Sequence, residues 1–285
     1  MSQNKHSSFS ALGVRVLRRI RYLLLLMYAP VEQLVFRISG IPGFPPIHLR
    51  RTVGATAAPD GSSAQFLILL KMVAGLNNGS RVLDIGCGCG LLELAIEDHV
   101  KNGRVVGVDI YRPSIAWATR RITSRSPHIT FDHADIHHPE YWPSGRLSVE
   151  AYFKTLNETG FDIVVAKSLF THMLDDELPF YLSEIAHRLA PGGKALTTFF
   201  LLNAEQGELG RQGRNAIEFH RPESDAPYAF RRRSAPAAAV AYDEAFIDTL
   251  LAQAGLVCST RLYGTWSGRQ SGLNFQDILV VQRAG

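Results

Sequence analysis

The chain has 285 residues, 46% of them hydrophobic and 20% charged, a globular composition and enough length for one large α/β domain with an additional cap. Its net charge of +4 conceals an asymmetry: residues 1–59 hold eight basic groups against Glu32 alone, a net +7, whereas residues 60–285 hold 22 basic and 25 acidic groups, a net −3. The basic character belongs to the N-terminal extension, which argues against a nucleic-acid groove on the rest of the chain. The three cysteines, Cys87, Cys89 and Cys258, suggest no disulfide framework and fit a reducing, cytoplasmic compartment.

Met1 to Ser10 reads as a disordered polar start. Arg15, Arg18, Arg19 and Arg21 then precede an apolar run, Tyr22 to Ala29, that is shorter than the ~20 residues a membrane span requires. Three readings stay open for residues 11–39: a helix packed on the domain or over its substrate cleft, a basic amphipathic element making peripheral contact with the inner face of an anionic membrane, or a signal-type segment without a clear cleavage site. Ile41 to Pro46 contains three prolines and cannot be helix interior, so residues 40–60 read as an irregular arm. Residues 1–59 are therefore expected to form an extension and residues 60–285 the main domain. Ser62 suits the N-cap of a helix running to Ala74, with Gly75 as its stop.

From Arg81 the pattern alternates between short β-branched strands, expected at about 81–85, 104–109, 129–134, 161–167 and 194–202, and helices, expected at about 90–99, 113–124 and 176–189. That alternation predicts a parallel sheet covered on both faces. Leu147 to Leu156 is a further candidate helix. Residues 203–240 read as a long irregular insertion, Tyr242 to Ala254 as a helix stopped by Gly255, and Leu256–Tyr263 and Phe275–Gln282 as a terminal strand pair.

The stretch RVLDIGCGCG, Arg81 to Gly90, carries most of the chemistry. A buried strand enters a glycine turn that opens a helix, a backbone arrangement suited to a nucleotide-type ligand. The dinucleotide fingerprint would need glycine at 91, which is Leu91, and no phosphate-loop motif occurs, so the spacing is wrong for NAD and for ATP phosphates. Cys87 and Cys89 read as small residues filling the turn, because no second Cys or His pair sits at zinc spacing.

This pattern resembles the first motif of class I S-adenosylmethionine-dependent methyltransferases. The later motifs follow in order: Val105 to Asp109, Ala134-Asp135-Ile136, Phe161 to Val165, and Leu189 to Gly193. The resemblance covers roughly residues 60–285. It implies a Rossmann-like α/β fold: a seven-stranded, mostly parallel sheet with helices on both faces and an antiparallel last strand. It also implies S-adenosyl-L-methionine as cofactor. Asp84, Gly86, Gly88 and Gly90 would cradle its methionine part. Asp109, 23 residues after Gly86, would accept from the ribose hydroxyls, with Ile110 beside it. Asp135 and Ile136 would meet the adenine, and Ser168 would line the pocket.

The stretch Ala166 to Met173, after the fourth strand, lacks the Asp/Asn-Pro-Pro-Tyr/Phe motif of amino-group methyltransferases and has no carboxylate for a metal, so a metal-independent reaction is expected. His172 is the candidate general base for an acceptor hydroxyl, against the alternative that it only packs on the cofactor. Phe170 to Leu174, Thr198 to Asn203 and Gly264 to Arg269 resemble a glycan-associated bacterial subgroup. That suggests a sugar or other small-molecule hydroxyl as acceptor, with Trp266 stacking on it and Arg269 or Gln276 bonding it. The insertion at 203–240 would be the substrate cap. A membrane lipid or lipid-linked glycan as acceptor, and a non-catalytic cofactor-binding scaffold, are the alternatives. The sequence leaves the oligomeric state open.

Overall fold

The structure, a computed structural model, describes residues 3–41, 43–54, 62–138 and 141–285. The expected irregular arm at 40–60 therefore lies partly outside the described residues, as does Pro139. Two compact units make up the chain, Met1–Asp60 and Gly61–Gly285.

In the first unit one helix, α1, runs from Gln3 to Ile38. It begins inside the polar stretch expected to be disordered, because no glycine or proline interrupts residues 1–10 and the helix continues back from the apolar run. The chain then folds back as α2 (Ile47–Arg50) and a tight turn, Arg51–Val53. Glu32, on the buried side of α1, pairs with Arg50 and accepts from the Ile47 amide at 2.8 Å. The Arg50 guanidinium also lies 5.5 Å from the Phe36 ring centre and 5.0 Å from that of Phe44. A buried arginine is tolerated here because its charge is paired and its faces are covered by π-systems.

The second unit opens with α3 (Ser62–Leu69), a π-helical turn at Leu70–Ala74, and Gly75 in the left-handed conformation as its stop. The main sheet is built from β1 (Arg81–Ile85), β2 (Arg104–Asp109), β3 (Ile129–His133), β4 (Phe161–Ala166), β5 (Leu189–Phe199), β9 (Leu256–Leu262) and β10 (Asp277–Arg283). Their order is β3-β2-β1-β4-β5-β10-β9. All neighbours pair in parallel except β10, which runs antiparallel between β5 and β9. Val82, Leu83, Val105, Ile163, Val164 and Val165 are completely buried, as expected where a central parallel sheet is covered on both faces. Helices α4 (Leu91–Ile96), α5 (Arg112–Ala118), α6 (Val149–Phe153) and α7 (Leu178–Arg188) follow the first four strands. The strand order reverses between β1 and β4, where open α/β sheets bind ligands at their carboxyl ends.

Three elements differ from expectation. The loop expected before the fifth strand is part of β5: Leu189 already pairs with Phe161, and residues 190–193 bulge before pairing resumes at Lys194, with Gly192 at φ 76°. The strand expected to continue to 202 leaves the main sheet instead. Leu201–Leu202 (β6) joins Val240–Asp243 (β8) and Tyr228–Phe230 (β7) in a second, three-stranded sheet of order β6-β8-β7. The insertion is therefore more regular than its sequence suggests, and it includes α8 (Ala204–Arg211), capped where Asn203 Oδ1 accepts from the Gln206 amide at 2.9 Å. The helix expected from Tyr242 starts at Glu244 as α9 (Glu244–Gln253). The alternation of Val240 and Tyr242 holds the preceding residues in β8, with Tyr242 fully buried and its hydroxyl donating to the Met173 carbonyl at 2.6 Å.

Candidate active site

The site is assembled at the carboxyl ends of β1, β2 and β4. After β1 the chain turns sharply: the Gly86 and Cys87 amides both donate to the Val108 carbonyl, at 2.8 and 3.1 Å. Gly86, Gly88 and Gly90 all have positive φ, 83°, 58° and 79°. At Gly90 the requirement is also steric, since a Cβ there would lie 2.8 Å from Ile122 Cδ1 and 3.2 Å from the Phe131 ring.

Asp109 ends β2 and grips the turn. Its Oδ2 accepts from the Gly88 amide at 2.9 Å and its Oδ1 from the Tyr111 amide at 2.7 Å. Burial raises its pKa, and the two amides oppose that shift. Beneath the turn lies a pair of buried carboxyls, Asp84 and Glu93, with Glu93 set over Gly107, where a side chain would leave it no room. Asp84 Oδ1 and both Glu93 oxygens are buried with no side-chain partner beyond each other's carboxyl. Burial raises both pKa values, Glu93 far above the carboxylate range and Asp84 against the opposing charge of Lys167.

On the β3 side, Asp135 is already engaged, accepting from Trp142 Nε1 at 3.0 Å and from Arg146 Nε at 2.6 Å. Arg146 first, and then Trp142, hold its carboxyl below the usual range. Ile136 is buried beside it, and the His133 ring bonds the Ile110 carbonyl at 3.1 Å. Trp142 stands edge-on to Tyr111 and to His133, with ring centres at 6.3 and 5.3 Å. Sequence reasoning missed Tyr111, Trp142 and Arg146. The signal available for Trp142 and Arg146 was their place in a loop longer than a minimal connection.

After β4, Ser168 is the one non-glycine residue with positive φ among the described residues, at 57°. Such a conformation costs on the order of 1–3 kcal/mol and persists only where its surroundings impose it. Here they do: the Ser168 amide donates to Thr198 Oγ1 at 2.7 Å, and its hydroxyl donates to Gln276 Oε1 at 2.9 Å. His172 ends the following tight turn, Phe170–His172. Its Nδ1 lies 3.1 Å from the Ala237 carbonyl oxygen and 3.4 Å from Tyr141 Oη. A carbonyl only accepts, so Nδ1 carries the proton and Nε2 is the basic nitrogen.

Of the three residues expected to meet the acceptor, Trp266 is placed in the core. Trp266 is fully buried: its Nε1 donates to Asp277 Oδ2 at 2.8 Å, and its ring packs against Phe200 and Phe219. No face is left for a sugar, and the stacking expectation is corrected. The Arg269 guanidinium bonds Ser267, Asn203 and Glu205 and lies 4.2 Å from the Tyr263 ring centre. The Gln276 amide accepts from Ser168 and Thr198 through Oε1 and donates from Nε2 to Thr171 Oγ1 at 3.4 Å. Gln276 thus braces the strained Ser168 turn, and Arg269 braces the insertion. A cavity of about 530 Å³ lies within the insertion, lined in part by Asn203, Gln206, Asn215, His220, Arg221 and Asp243. No residue of the glycine turn, of the β2 end or of 168–172 lines it.

The expected cofactor brings an ammonium, a carboxylate, two ribose hydroxyls, an adenine and a sulfonium. The residues present fit it: the buried Asp84 carboxyl suits the ammonium, and Asp109 suits the ribose hydroxyls. An ammonium partner must be ionised, and Asp84 titrates above the ordinary range. Cofactor affinity should therefore fall as pH drops from about 7.5 to about 5.5, approaching tenfold per unit. Calorimetric titration across that range checks this, and Asp84→Asn should bind weakly with a flat profile.

Residues 82–193 match the family described as a methyltransferase domain. A probable fatty acid methyltransferase of Mycobacterium tuberculosis is 28% identical over 122 residues, which are 42% of this chain and 24% of that protein. The chain thus spans about a quarter of the length of that curated relative. Among solved structures, the CcbJ methyltransferase of Streptomyces caelestis shares 16% identity over 81% of this chain and 92% of its own, with a TM-score of 0.51. An S-adenosylmethionine-dependent methyltransferase from Clostridium acetobutylicum shares 16% identity over 82% of this chain and 95% of its own, with a TM-score of 0.50. The topology agrees with these structures, the glycine turn and the Asp109 grip fit the expected cofactor, and residues 82–193 carry the pattern of a methyltransferase domain.

Proposed function

We propose that this enzyme is a metal-independent O-methyltransferase whose acceptor is a hydroxyl of a sugar or another small molecule. The observation that carries the reading is His172. It stands on the turn after β4, and the Ala237 carbonyl of the insertion fixes the tautomer in which Nδ1 carries the proton. Bound S-adenosylmethionine supplies an electrophilic methyl group on a sulfonium. Asp109 holds the ribose and Asp84 the ammonium. Ile110, Asp135 and Ile136 line the adenine side, where Trp142 and Tyr111 form its walls. Ser168, fixed by Thr198 and Gln276, shapes the methionine side. His172 Nε2 takes the proton from the acceptor hydroxyl as it attacks. The insertion at 203–240 serves as the substrate cap, since Ala237 belongs to it. Among the described residues no group of three His, Cys, Asp or Glu side chains is arranged to hold a metal ion.

The test is transfer of radiolabelled methyl from S-adenosylmethionine into a host extract separated into polysaccharide, small-molecule, lipid, protein and RNA fractions. Label is expected in the polysaccharide or small-molecule fraction. His172→Ala should leave cofactor affinity unchanged and slow turnover by about 10²–10⁴-fold. Unchanged turnover would remove the base assignment.

A second reading changes the acceptor to a membrane lipid or lipid-linked glycan. Its support is the likeness to the mycobacterial fatty acid methyltransferase and the exposed apolar side chains of α1. Label in the lipid fraction would select it.

A further inference from the structure

Helix α1 has two unlike faces. On one, Ala29, Glu32 and Phe36 are buried against the returning segment of the same unit. On the other, Leu17, Ile20, Leu24, Met27, Val31, Leu34 and Ile38 recur at alternating intervals of three and four, each between 49% and 78% exposed. With their neighbours they fill an arc of roughly 140° on a helix of about 3.6 residues per turn. A globular chain rarely leaves so continuous an apolar face to water without a partner. The face is also about 32 Å long between Leu17 and Ile38 at about 1.5 Å per residue.

We propose that this face lies in the headgroup region of an anionic lipid bilayer, with the helix parallel to the membrane plane. Charge selects this occupant. Arg19 and Arg37 border the apolar arc on one side and Arg21 borders it on the other, all three exposed. Glu32 is the one acidic residue of the N-terminal 59, and its charge is consumed by Arg50. The exposed face thus offers apolar side chains flanked by guanidinium groups that reach lipid phosphates. No helix among the described residues is long and apolar enough to cross a membrane, so α1 rests on the bilayer rather than spanning it. A second copy of the helix fits less well. The three-four spacing suits a coiled coil, but the positions beside the stripe carry only arginine and uncharged residues, so self-pairing opposes like charges with no carboxylate to answer them.

The inference goes beyond the acceptor question and stands whichever molecule is methylated. Its test is flotation of the full-length protein with vesicles of phosphatidylcholine alone and with about 30% phosphatidylglycerol. Binding is expected only to the anionic vesicles and should weaken as salt rises. Leu24→Glu with Met27→Glu should lower the bound fraction at least about tenfold. Arg19→Glu with Arg21→Glu should abolish the preference for anionic lipid. Both pairs alter exposed side chains remote from the glycine turn in sequence, so S-adenosylmethionine affinity should stay within about twofold of the wild type, a readout that separates this proposal from the catalytic one. Equal binding to both vesicle types, or none, would overturn the proposal. So would a dimer in sedimentation velocity that Leu24→Glu with Met27→Glu dissociates while vesicles go unbound, since a second copy would then cover the face.

Discussion

Asp109→Ala should weaken S-adenosylmethionine binding by about 10²–10⁴-fold, with the fold retained. Two charge-assisted hydrogen bonds to ribose hydroxyls are worth on the order of 1.5–3 kcal/mol each, and both vanish with the carboxylate. The variant also releases the Gly88 and Tyr111 amides that Asp109 accepts from. The turn would lose its brace, so the remaining contacts would weaken as well. Calorimetry measures the affinity and far-ultraviolet circular dichroism checks the fold. An affinity within about threefold of the wild type would sink the assignment of Asp109 to the ribose, because a charge-assisted pair cannot be removed so cheaply. Asp109→Asn should fall between the two, since its one amide oxygen can satisfy only part of what the carboxylate does.

Asp277→Ala should be among the most destabilising single changes, costing about 3–5 kcal/mol. Asp277 is completely buried at the start of β10. Its Oδ2 accepts from the Leu201 amide at 2.7 Å and from Trp266 Nε1 at 2.8 Å, and its Oδ1 accepts from the Gly264 amide at 2.7 Å. These donors lie on three stretches of chain: the exit from β5 toward the second sheet, the Trp266 turn, and the loop before it. Alanine would leave all three buried and unpaired, each costing on the order of 1–3 kcal/mol. Thermal unfolding should drop by about 10 °C or more. Asp277→Asn should recover part of the loss, because its carbonyl oxygen still accepts while its amino group faces a donor. A midpoint within about 2 °C of the wild type for Asp277→Ala would show that these contacts carry little.

These two carboxylates were unequally visible in the sequence. The expectation for Asp109 rests on the family resemblance and on local pattern: a buried strand, a glycine turn and a second strand at fixed spacing, close together in the chain. Asp277 attracted no role of its own because its three partners come from residues 11 to 76 positions away. Ser168 was expected to line the cofactor pocket. Its strained φ was not, because the strain is imposed by Thr198 and Gln276 from other strands.

Trp266 shows the same limit from the other side. A tryptophan followed by polar residues at a strand end reads equally well as a ligand platform or as core, since its type and spacing are the same in both. Its burial was decided by Phe200 and Phe219 closing on its ring and by Asp277 accepting from its nitrogen. Gln276 and Arg269 also bond groups distant in the chain, contacts that residue type alone does not reveal.

Local pattern predicted the parallel core of the sheet and the glycine turn, and the family resemblance implied the antiparallel last strand and the placing of Asp84 and Asp109 around that turn. Apolar runs, turn residues and strand–helix alternation act over a few residues, where the order of the chain and its folded neighbourhood coincide. Only the tertiary structure decided the three-stranded sheet of the insertion, the proton on His172 Nδ1, the Asp84–Glu93 pair and which face of α1 stays exposed. Each of these depends on groups distant in the chain meeting in a dry or crowded place, as when the Ala237 carbonyl reaches a histidine 65 residues earlier. There burial and the available partners, rather than residue type, set what a side chain can do.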